Sequence, residues 1–166
     1  PLDGDENLRD SKRLPVDAQK QQIMRAISQK TVVAVKASPG SGKTVKLPCM
    51  LLEQAPARHD TPGKYPVVVV QISNLAAKQL VDSYLKDGWH ADEFHLKTGK
   101  YDETTFEKYT HKMSIITYGI LWEWVRCFDN HPSHPLMRYS AFFFDEFADL
   151  EPKYVASVQS VVRLVR

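Results

Sequence analysis

Apolar residues along the chain fall into two patterns, continuous runs and helically spaced stretches. The continuous runs predict strands at 31–37 (TVVAVKA), 66–72 (PVVVVQI), 114–118 (SIITY) and 141–147 (AFFFDEF), with a shorter one within 93–99 (EFHLKTG). These runs show little alternation between apolar and polar positions, so we expect both faces of the strands to be covered.

Stretches with apolar residues three and four positions apart separate these runs and predict helices. They are a helix that ends near Gln29, a helix over 43–54, a helix that Ser73 caps and Gly88 ends, a helix over 119–128, and a last helix near the end of the chain. Leu85 and Trp124 are expected on the buried faces of their helices. The alternation of strands with helices predicts an α/β fold, a mostly parallel sheet with helices on both faces.

Two segments lack either pattern. Residues 1–13 (PLDGDENLRDSKR) are polar and aperiodic, so we expect a flexible lead-in. Residues 57–64 (ARHDTPGK) contain a Pro-Gly pair and predict a turn or loop. Regularly spaced apolar residues begin at Leu14, so the predicted domain spans 14–166.

Composition narrows the class of protein. With 166 residues, 43% of them hydrophobic and 25% charged, the chain has the size and balance of one soluble globular domain. No apolar run approaches the roughly 18 residues of a membrane-spanning helix. The net charge of +2 is too small to indicate a nucleic-acid partner by itself. Two cysteines cannot build a disulfide framework, which predicts a reducing intracellular compartment, the cytoplasm or the nucleus.

The stretch ASPGSGKT (37–44) lies between a predicted strand and a predicted helix. In this order, the backbone N–H groups of the turn and the positive end of the helix both face a phosphate. Gly40 and Gly42 allow backbone conformations that a side chain would disfavour. The predicted phosphate-binding residues are Ser38, Pro39, Gly40, Ser41, Gly42, Lys43 and Thr44. Lys43 is expected to reach the β- and γ-phosphates of ATP or another nucleoside triphosphate, and Thr44 to bind Mg²⁺.

Two acids follow the apolar run AFFF, at what is predicted to be the carboxyl end of a strand. Ligands of doubly wound sheets bind at that edge. Asp145 is therefore predicted to hold Mg²⁺, and Glu146 to orient and deprotonate the attacking water. Lys43, Asp145 and Glu146 form the predicted catalytic set.

In their order along the chain, these motifs resemble the first RecA-like domain of a superfamily 2 helicase, closest to the DEAH-box RNA helicases. The matching segments are LPVDAQKQQI (14–23), SGKTVKLPCMLLE (41–53), QISNLAAKQL (71–80), TYGIL (117–121) and DEFA (145–148). The resemblance implies that 14–166 is a helicase ATP-binding domain with a P-loop NTPase fold. It also implies nucleic-acid contacts at Ser73 and Thr117.

The chain departs from the DEAH pattern at two motifs. Gln71 is followed by Ile72, Ser73 and Asn74 where the family has Pro-Arg-Arg, so two phosphate-binding arginines are missing. Nucleic-acid binding is therefore expected to be weak and sensitive to salt. Ala148 stands where the family has the histidine that helps couple hydrolysis to strand movement. Hydrolysis is therefore expected more firmly than its coupling to strand movement.

The resemblance implies an ATP-dependent helicase that couples nucleotide hydrolysis to nucleic-acid remodelling. Its partners would be RNA, or alternatively DNA, and a second RecA-like domain in the full-length chain. Two alternatives stay open. One is a P-loop NTPase outside the helicases, such as another nucleic-acid motor, and the other is a non-catalytic relic that only binds nucleotide.

Three weaker patterns have simpler interpretations. Cys127, His131 and His134 have a metal-like spacing, but no fourth ligand stands nearby, which favours incidental histidines in a loop. Trp122 and Trp124 could stack on bases, although core packing is favoured for Trp124. Lys97 and Lys100 could lie near a nucleic-acid path, although lysines in loops are usually solvated.

The ends of the sequence carry two further expectations. The chain begins with Pro1 and shows no signal-peptide pattern, so we expect a piece of a longer protein, with a viral polyprotein as one compatible origin. By comparison with the family, the domain is expected to be truncated after the segment DEFA (145–148), which stands at the family's motif II. A gap between the strands 31–37 and 141–147, marginal stability and little ATPase activity of the isolated piece would follow.

Overall fold

The structure, a computed structural model, describes residues 14–54, 65–99, 111–128, 134–137, 139–147 and 150–164. The predictions for the lead-in 1–13, for the turn at 57–64, and for Lys100, His131 and Ala148 lie outside these residues.

Among the described residues, four parallel strands form one sheet. They are β1 (Tyr65–Gln71), β2 (Phe94–Lys97), β3 (Met113–Thr117) and β4 (Tyr139–Phe144), in the order β2-β3-β1-β4. In the central strand β1, Val67 pairs with Met113 of β3 and with Ala141 of β4. The predicted α/β fold with a parallel sheet is confirmed.

In the part of the chain that the structure describes, five helices precede, connect or follow the strands and cover the sheet. They are α1 (Lys20–Gln29), α2 (Lys43–Gln54), α3 (Asn74–Lys86), α4 (Tyr118–Arg126) and α5 (Pro152–Leu164), with short 3-10 turns at Pro15–Gln19, Ala91–Glu93 and Pro135–Met137. Among the described residues, no helix is long and apolar enough to cross a membrane.

The two faces of the sheet build two separate cores. On one face, Val67 and Val69 pack with residues of α3 and partly buried residues of α2. On the other face, Val68 and Val70 pack with residues of α4 and α5. All four valines are fully buried, since successive side chains of a strand point to opposite faces and helices cover both. The continuous apolar run in β1 follows from this double coverage.

Both ends of α3 follow the sequence prediction. The Ser73 hydroxyl accepts a hydrogen bond from the Ala76 N–H (3.1 Å), which caps the helix. Gly88 has a φ of +90°, and the next N–H, of Trp89, donates to the Tyr84 carbonyl (3.1 Å) to end it. Leu85, however, is 40% exposed, so its predicted burial is wrong. Leu85 is rotated by about 100° from the buried Tyr84, away from the sheet.

Residues 31–37 were predicted to form a strand, and this prediction is wrong in the described structure. The segment is assigned to no strand, and Val32 is 52% exposed. Only Val35 packs against a core cluster, the one that contains Leu47 and Met50. A strand needs a hydrogen-bonded neighbour, and β4, the outermost described strand on this side, pairs only with β1. A run of β-branched residues alone does not supply that neighbour.

The strand predicted over 141–147 begins and ends earlier than expected. β4 covers Tyr139–Phe144, and the chain turns at the acids that follow it. Phe147, predicted as part of the strand, is 46% exposed. Trp124 is buried at 8% exposure, which confirms its predicted place in the core.

Candidate nucleotide-binding site

The glycine loop (ASPGSG, 37–42) has the backbone shape that its sequence predicts. Gly40 has a φ of +73° and Gly42 a φ of +87°, both in the left-handed region that favours glycine. A Cβ at Gly42 would also collide with the side chain of Leu14. Gly42 is therefore required both for its conformation and for the close approach of the preceding segment.

The segment before α1 holds this loop in place. The Val16 N–H donates to the Ser41 carbonyl (3.0 Å), and the Asp17 carboxylate accepts from the Leu14 N–H (2.9 Å). Within the loop, the Ser41 N–H donates to the Ser38 carbonyl (3.2 Å). The sequence Leu-Pro-Val-Asp thus braces the loop from one side, which the resemblance indicated only by position.

Ser41 gives the loop an unused polar atom. Its side chain is 5% exposed, and its hydroxyl has no hydrogen-bond partner among the residues that the structure describes. A buried hydroxyl without a partner costs free energy, so a polar ligand at this loop would stabilise it. Together with the two left-handed glycines, this hydroxyl fits the phosphate group that the loop is predicted to bind.

Helix α2 begins at Lys43, directly after the loop, and carries Lys43 and Thr44 half-buried in its first turn. Pro48 interrupts the helical hydrogen bonds, since proline has no N–H to donate to the Thr44 carbonyl. The next carbonyl, of Val45, accepts a hydrogen bond from the Tyr84 hydroxyl of α3 (2.9 Å). This bond fixes the first turn of α2 against α3.

The acid turn after β4 is held on several sides. Asp145 is 4% exposed, and its backbone N–H donates to the Val70 carbonyl of β1 (3.1 Å). The Gln71 side-chain amide donates to one carboxylate oxygen of Asp145 (3.2 Å), and the Glu146 N–H donates to the other (3.1 Å). Glu146 itself is exposed and has a φ of +51°. Asp145 is therefore fixed, while the Glu146 carboxylate is accessible.

Tyr118, the first residue of α4, holds the same turn. Its hydroxyl donates to the backbone carbonyl of Asp145 (2.7 Å), and its side chain is 1% exposed. Burial raises the pKa of the Tyr118 phenol, and the carboxylates of Asp145 and Glu146 raise it further. The hydroxyl therefore stays protonated and remains a donor at neutral pH.

The helix that follows the glycine loop packs against the strand that leads to the acid turn. Helix α2 contacts both β1 and β4, and α3 packs beside it. Phe143 of β4, two residues before Asp145, packs against the cluster that contains Leu47 and Met50 of α2. The structure thus places α2 against the strand that Asp145 directly follows.

A cleft of about 400 Å³ opens beside the first turns of α2. Its lining includes Val45, Lys46, Cys49, Tyr84 and Trp89. At its margin, Lys20 and Glu53 form an ion pair (2.8 Å) whose side chains are about half exposed. Because its lining includes Val45, the residue after Thr44, the cleft adjoins the predicted phosphate loop.

The two predicted nucleic-acid contacts lie at the ends of neighbouring strands. Ser73 follows β1 and is exposed, although its hydroxyl oxygen already caps α3. Thr117 ends β3 opposite Gln71 and is only 7% exposed. Ser73 thus offers an accessible side chain, whereas Thr117 offers little surface. Both roles stay predictions.

Mg²⁺ is the metal that the predicted site implies. The Thr44 hydroxyl and the Asp145 carboxylate are oxygen donors, which Mg²⁺ prefers. Within the described ranges, no group of three or more histidine, cysteine, aspartate or glutamate side chains could hold a metal ion. Cys127 and Cys49 are both free thiols.

Two residues of the site were missed by sequence reasoning. Gln71 and Tyr118 lie in segments that matched the helicase pattern, but neither was assigned a role. Gln71 contacts Asp145 across 74 positions of sequence, and Tyr118 contacts it across 27. Only their places at the carboxyl ends of neighbouring strands could have indicated these contacts.

Comparison with known proteins agrees with this geometry. The AAA domain family matches residues 19–164. The probable ATP-dependent RNA helicase spindle-E of Drosophila virilis is 38% identical over 71 residues, which are 43% of this chain and 5% of that protein. The probable ATP-dependent RNA helicase kurz of Drosophila melanogaster is 43% identical over 51 residues, 31% of this chain and 4% of that protein.

The chain spans about one twentieth of the length of these curated relatives. The family match, in contrast, covers most of the chain and includes the glycine loop, α2 and the acid turn. The chain therefore belongs to the AAA domain family and forms a helicase-like ATP-binding P-loop domain.

Proposed function

We propose that this chain is the ATP-binding half of a DEAH-like RNA helicase, which couples nucleoside triphosphate hydrolysis to nucleic-acid remodelling. The observation that carries the proposal is the packing of α2, which follows the glycine loop, against β4, which leads to the Asp145 turn. The similarity to probable RNA helicases supports the choice of RNA.

Each residue of the site has a proposed role. The loop N–H groups and Lys43 bind the phosphates, and Thr44 and Asp145 hold Mg²⁺, which when bound neutralises the charge on the phosphate oxygens. Gln71 keeps the Asp145 carboxylate in one orientation. Glu146, exposed beside it, accepts a proton from the attacking water.

The cleft beside α2 is the proposed place of the nucleoside. Trp89 offers aromatic surface and Lys46 a positive charge, which suit a base and a ribose near phosphates. No array of amide side chains lines the part of the cleft that the structure describes. Weak selectivity among the bases is consistent with this lining.

Trp89 gives a direct test of this placement. Adding Mg²⁺–ATP is expected to change the tryptophan fluorescence, because the base approaches the indole ring. The change should disappear in Trp89→Phe and persist in Trp122→Phe, whose residue lies on α4 on the other face of the sheet. A nucleotide-induced signal that survives Trp89→Phe unchanged would place the nucleoside elsewhere.

Nucleic acid is proposed to cross the carboxyl edge of the sheet near Ser73 and Thr117. The two arginines of the DEAH pattern are absent there, so few positive charges meet phosphates. A second RecA-like domain of the full-length chain would supply the other part of the binding surface.

We therefore expect weak binding of single-stranded RNA to this domain, with a steep dependence on salt. Raising the salt from 50 to 200 mM should reduce the affinity by about tenfold or more if two or three phosphates are neutralised. Fluorescence anisotropy with labelled RNA, and with DNA of the same sequence, measures this. Sub-micromolar affinity that ignores salt would contradict the proposed surface.

Hydrolysis by the full-length protein separates the proposal from its two alternatives. A helicase is expected to hydrolyse ATP faster when single-stranded RNA is added. Turnover that RNA does not change would favour another P-loop NTPase. Tight nucleotide binding without turnover would favour a non-catalytic relic.

A further inference from the structure

One peptide unit of the site is held at both of its polar ends. It joins Asp145 to Glu146, and its carbonyl accepts from the Tyr118 hydroxyl (2.7 Å). Its N–H donates to the carboxylate of Asp145 (3.1 Å). Because a peptide unit is planar, fixing both its carbonyl and its N–H fixes its orientation.

Glu146, which follows this peptide unit, has an unusual backbone. Its φ is +51°, and it is the one residue other than glycine with positive φ in the part of the chain that the structure describes. A glutamate rarely adopts this conformation, which persists where neighbouring contacts impose it. The orientation of the preceding peptide is what sets the φ of Glu146, so the Tyr118 bond is such a contact.

We propose that Tyr118 is a positioning residue, whose buried hydroxyl holds the Asp145–Glu146 peptide and thereby keeps Glu146 in the left-handed conformation that aims its carboxylate. This inference rests on the proposed function, because it assigns a support to the proposed catalytic acid. Tyr118 has no contact with nucleotide in this account.

Tyr118 also joins two parts of the site. It is the first residue of α4 and directly follows Thr117, a proposed contact of the nucleic-acid backbone. A shift of the β3–α4 turn on RNA binding would move the phenol and, through one hydrogen bond, the peptide before Glu146. RNA binding would reach Glu146 by this route even though motif II lacks the family's histidine.

The test replaces Tyr118 with phenylalanine in the full-length protein, which removes the hydroxyl and keeps the ring. The kcat of RNA-stimulated ATP hydrolysis should fall by about tenfold or more, with the KM for ATP and the affinity for RNA within about twofold of wild type. In a Glu146→Gln background, Tyr118→Phe should cause no further loss. If Tyr118→Phe lowers kcat as much in the Glu146→Gln background as in wild type, Tyr118 acts independently of Glu146. Its role would then be merely structural, and the proposal would be overturned.

Tyr154→Phe is the matched control. The Tyr154 ring lies 5.8 Å from that of Tyr118, and the change removes a hydroxyl from the same aromatic cluster. It should leave the kcat unchanged. An equal loss in both variants, or no loss in Tyr118→Phe, would overturn the proposal.

Hydrogen exchange at the Glu146 amide tests the contact without any turnover. In wild type this amide should be protected, and Tyr118→Phe should speed its exchange by about tenfold, whereas Tyr154→Phe should not. An unprotected amide in wild type contradicts the positioning role even if Tyr118→Phe does not fold. If the protein hydrolyses no nucleotide while the exchange result holds, the proposed function fails and the contact stands.

Discussion

Replacing Lys43 with alanine is expected to weaken the binding of Mg²⁺–ATP by about 100-fold or more. Lys43 lies half-buried in the first turn of α2, directly after the two left-handed glycines. Losing one partner of a desolvated charge pair costs about 2–5 kcal/mol, and the β- and γ-phosphates would lose that partner. Isothermal titration calorimetry of wild type and variant measures the difference.

Lys36→Ala is the control for this variant. Lys36 is exposed and lies just before the loop, so its removal changes the net charge equally. We expect its affinity for nucleotide to stay within about twofold of wild type. Equal affinities of Lys43→Ala and wild type, at similar melting temperatures, would remove Lys43 from the site.

Glu146→Gln is expected to keep nucleotide affinity and to lower the rate of hydrolysis by about 10²- to 10⁴-fold. The amide has the shape of the carboxylate but cannot accept a proton from water at neutral pH, and general bases contribute about this much to rates. The change leaves the left-handed backbone and the hydrogen bond from the Glu146 N–H in place. Single-turnover hydrolysis in the full-length protein measures the loss.

Glu123→Gln makes the same chemical change on the surface of α4. Glu123 pairs with Arg126 (2.8 Å), and both side chains are more than half exposed, so turnover should not change. If Glu146→Gln turned over as fast as this control, Glu146 would have no role as the base.

The sheet was predictable because its central strands are covered on both faces. The run in β1 contains four fully buried valines, and such burial leaves an unmistakable apolar pattern. The segment 31–37 has a similar composition but pairs with no described strand. Composition reports whether a segment suits a sheet, whereas pairing depends on which strand lies beside it. Pairing therefore depends on residues distant in sequence, and the apolar pattern of one segment cannot predict it.

The site was predictable in part for a related reason. The loop and the acids are local motifs, so Gly40, Gly42 and Asp145 could be placed on their elements from sequence. The contacts that orient them depend on strand order. Tyr118 and Gln71 reach Asp145 because β3 and β4 both flank β1, an arrangement set by the whole sheet.

The positive φ of Glu146 was also beyond sequence reasoning. Glutamate has no preference for that conformation, so no residue type marked it. It follows from hydrogen bonds made by residues distant in sequence, and it was visible only in the folded chain.

The Mg²⁺ dependence of nucleotide affinity tests the central claim, that the glycine loop and the Asp145 turn form one site. Wild type should bind ATP at least about tenfold more tightly with Mg²⁺ than with EDTA, since loop and carboxylate act on the same nucleotide. In Asp145→Asn, affinity with Mg²⁺ should fall to the value measured in EDTA. Calorimetric titration of both proteins under both conditions decides it. A tenfold Mg²⁺ effect that persists undiminished in Asp145→Asn would contradict the account.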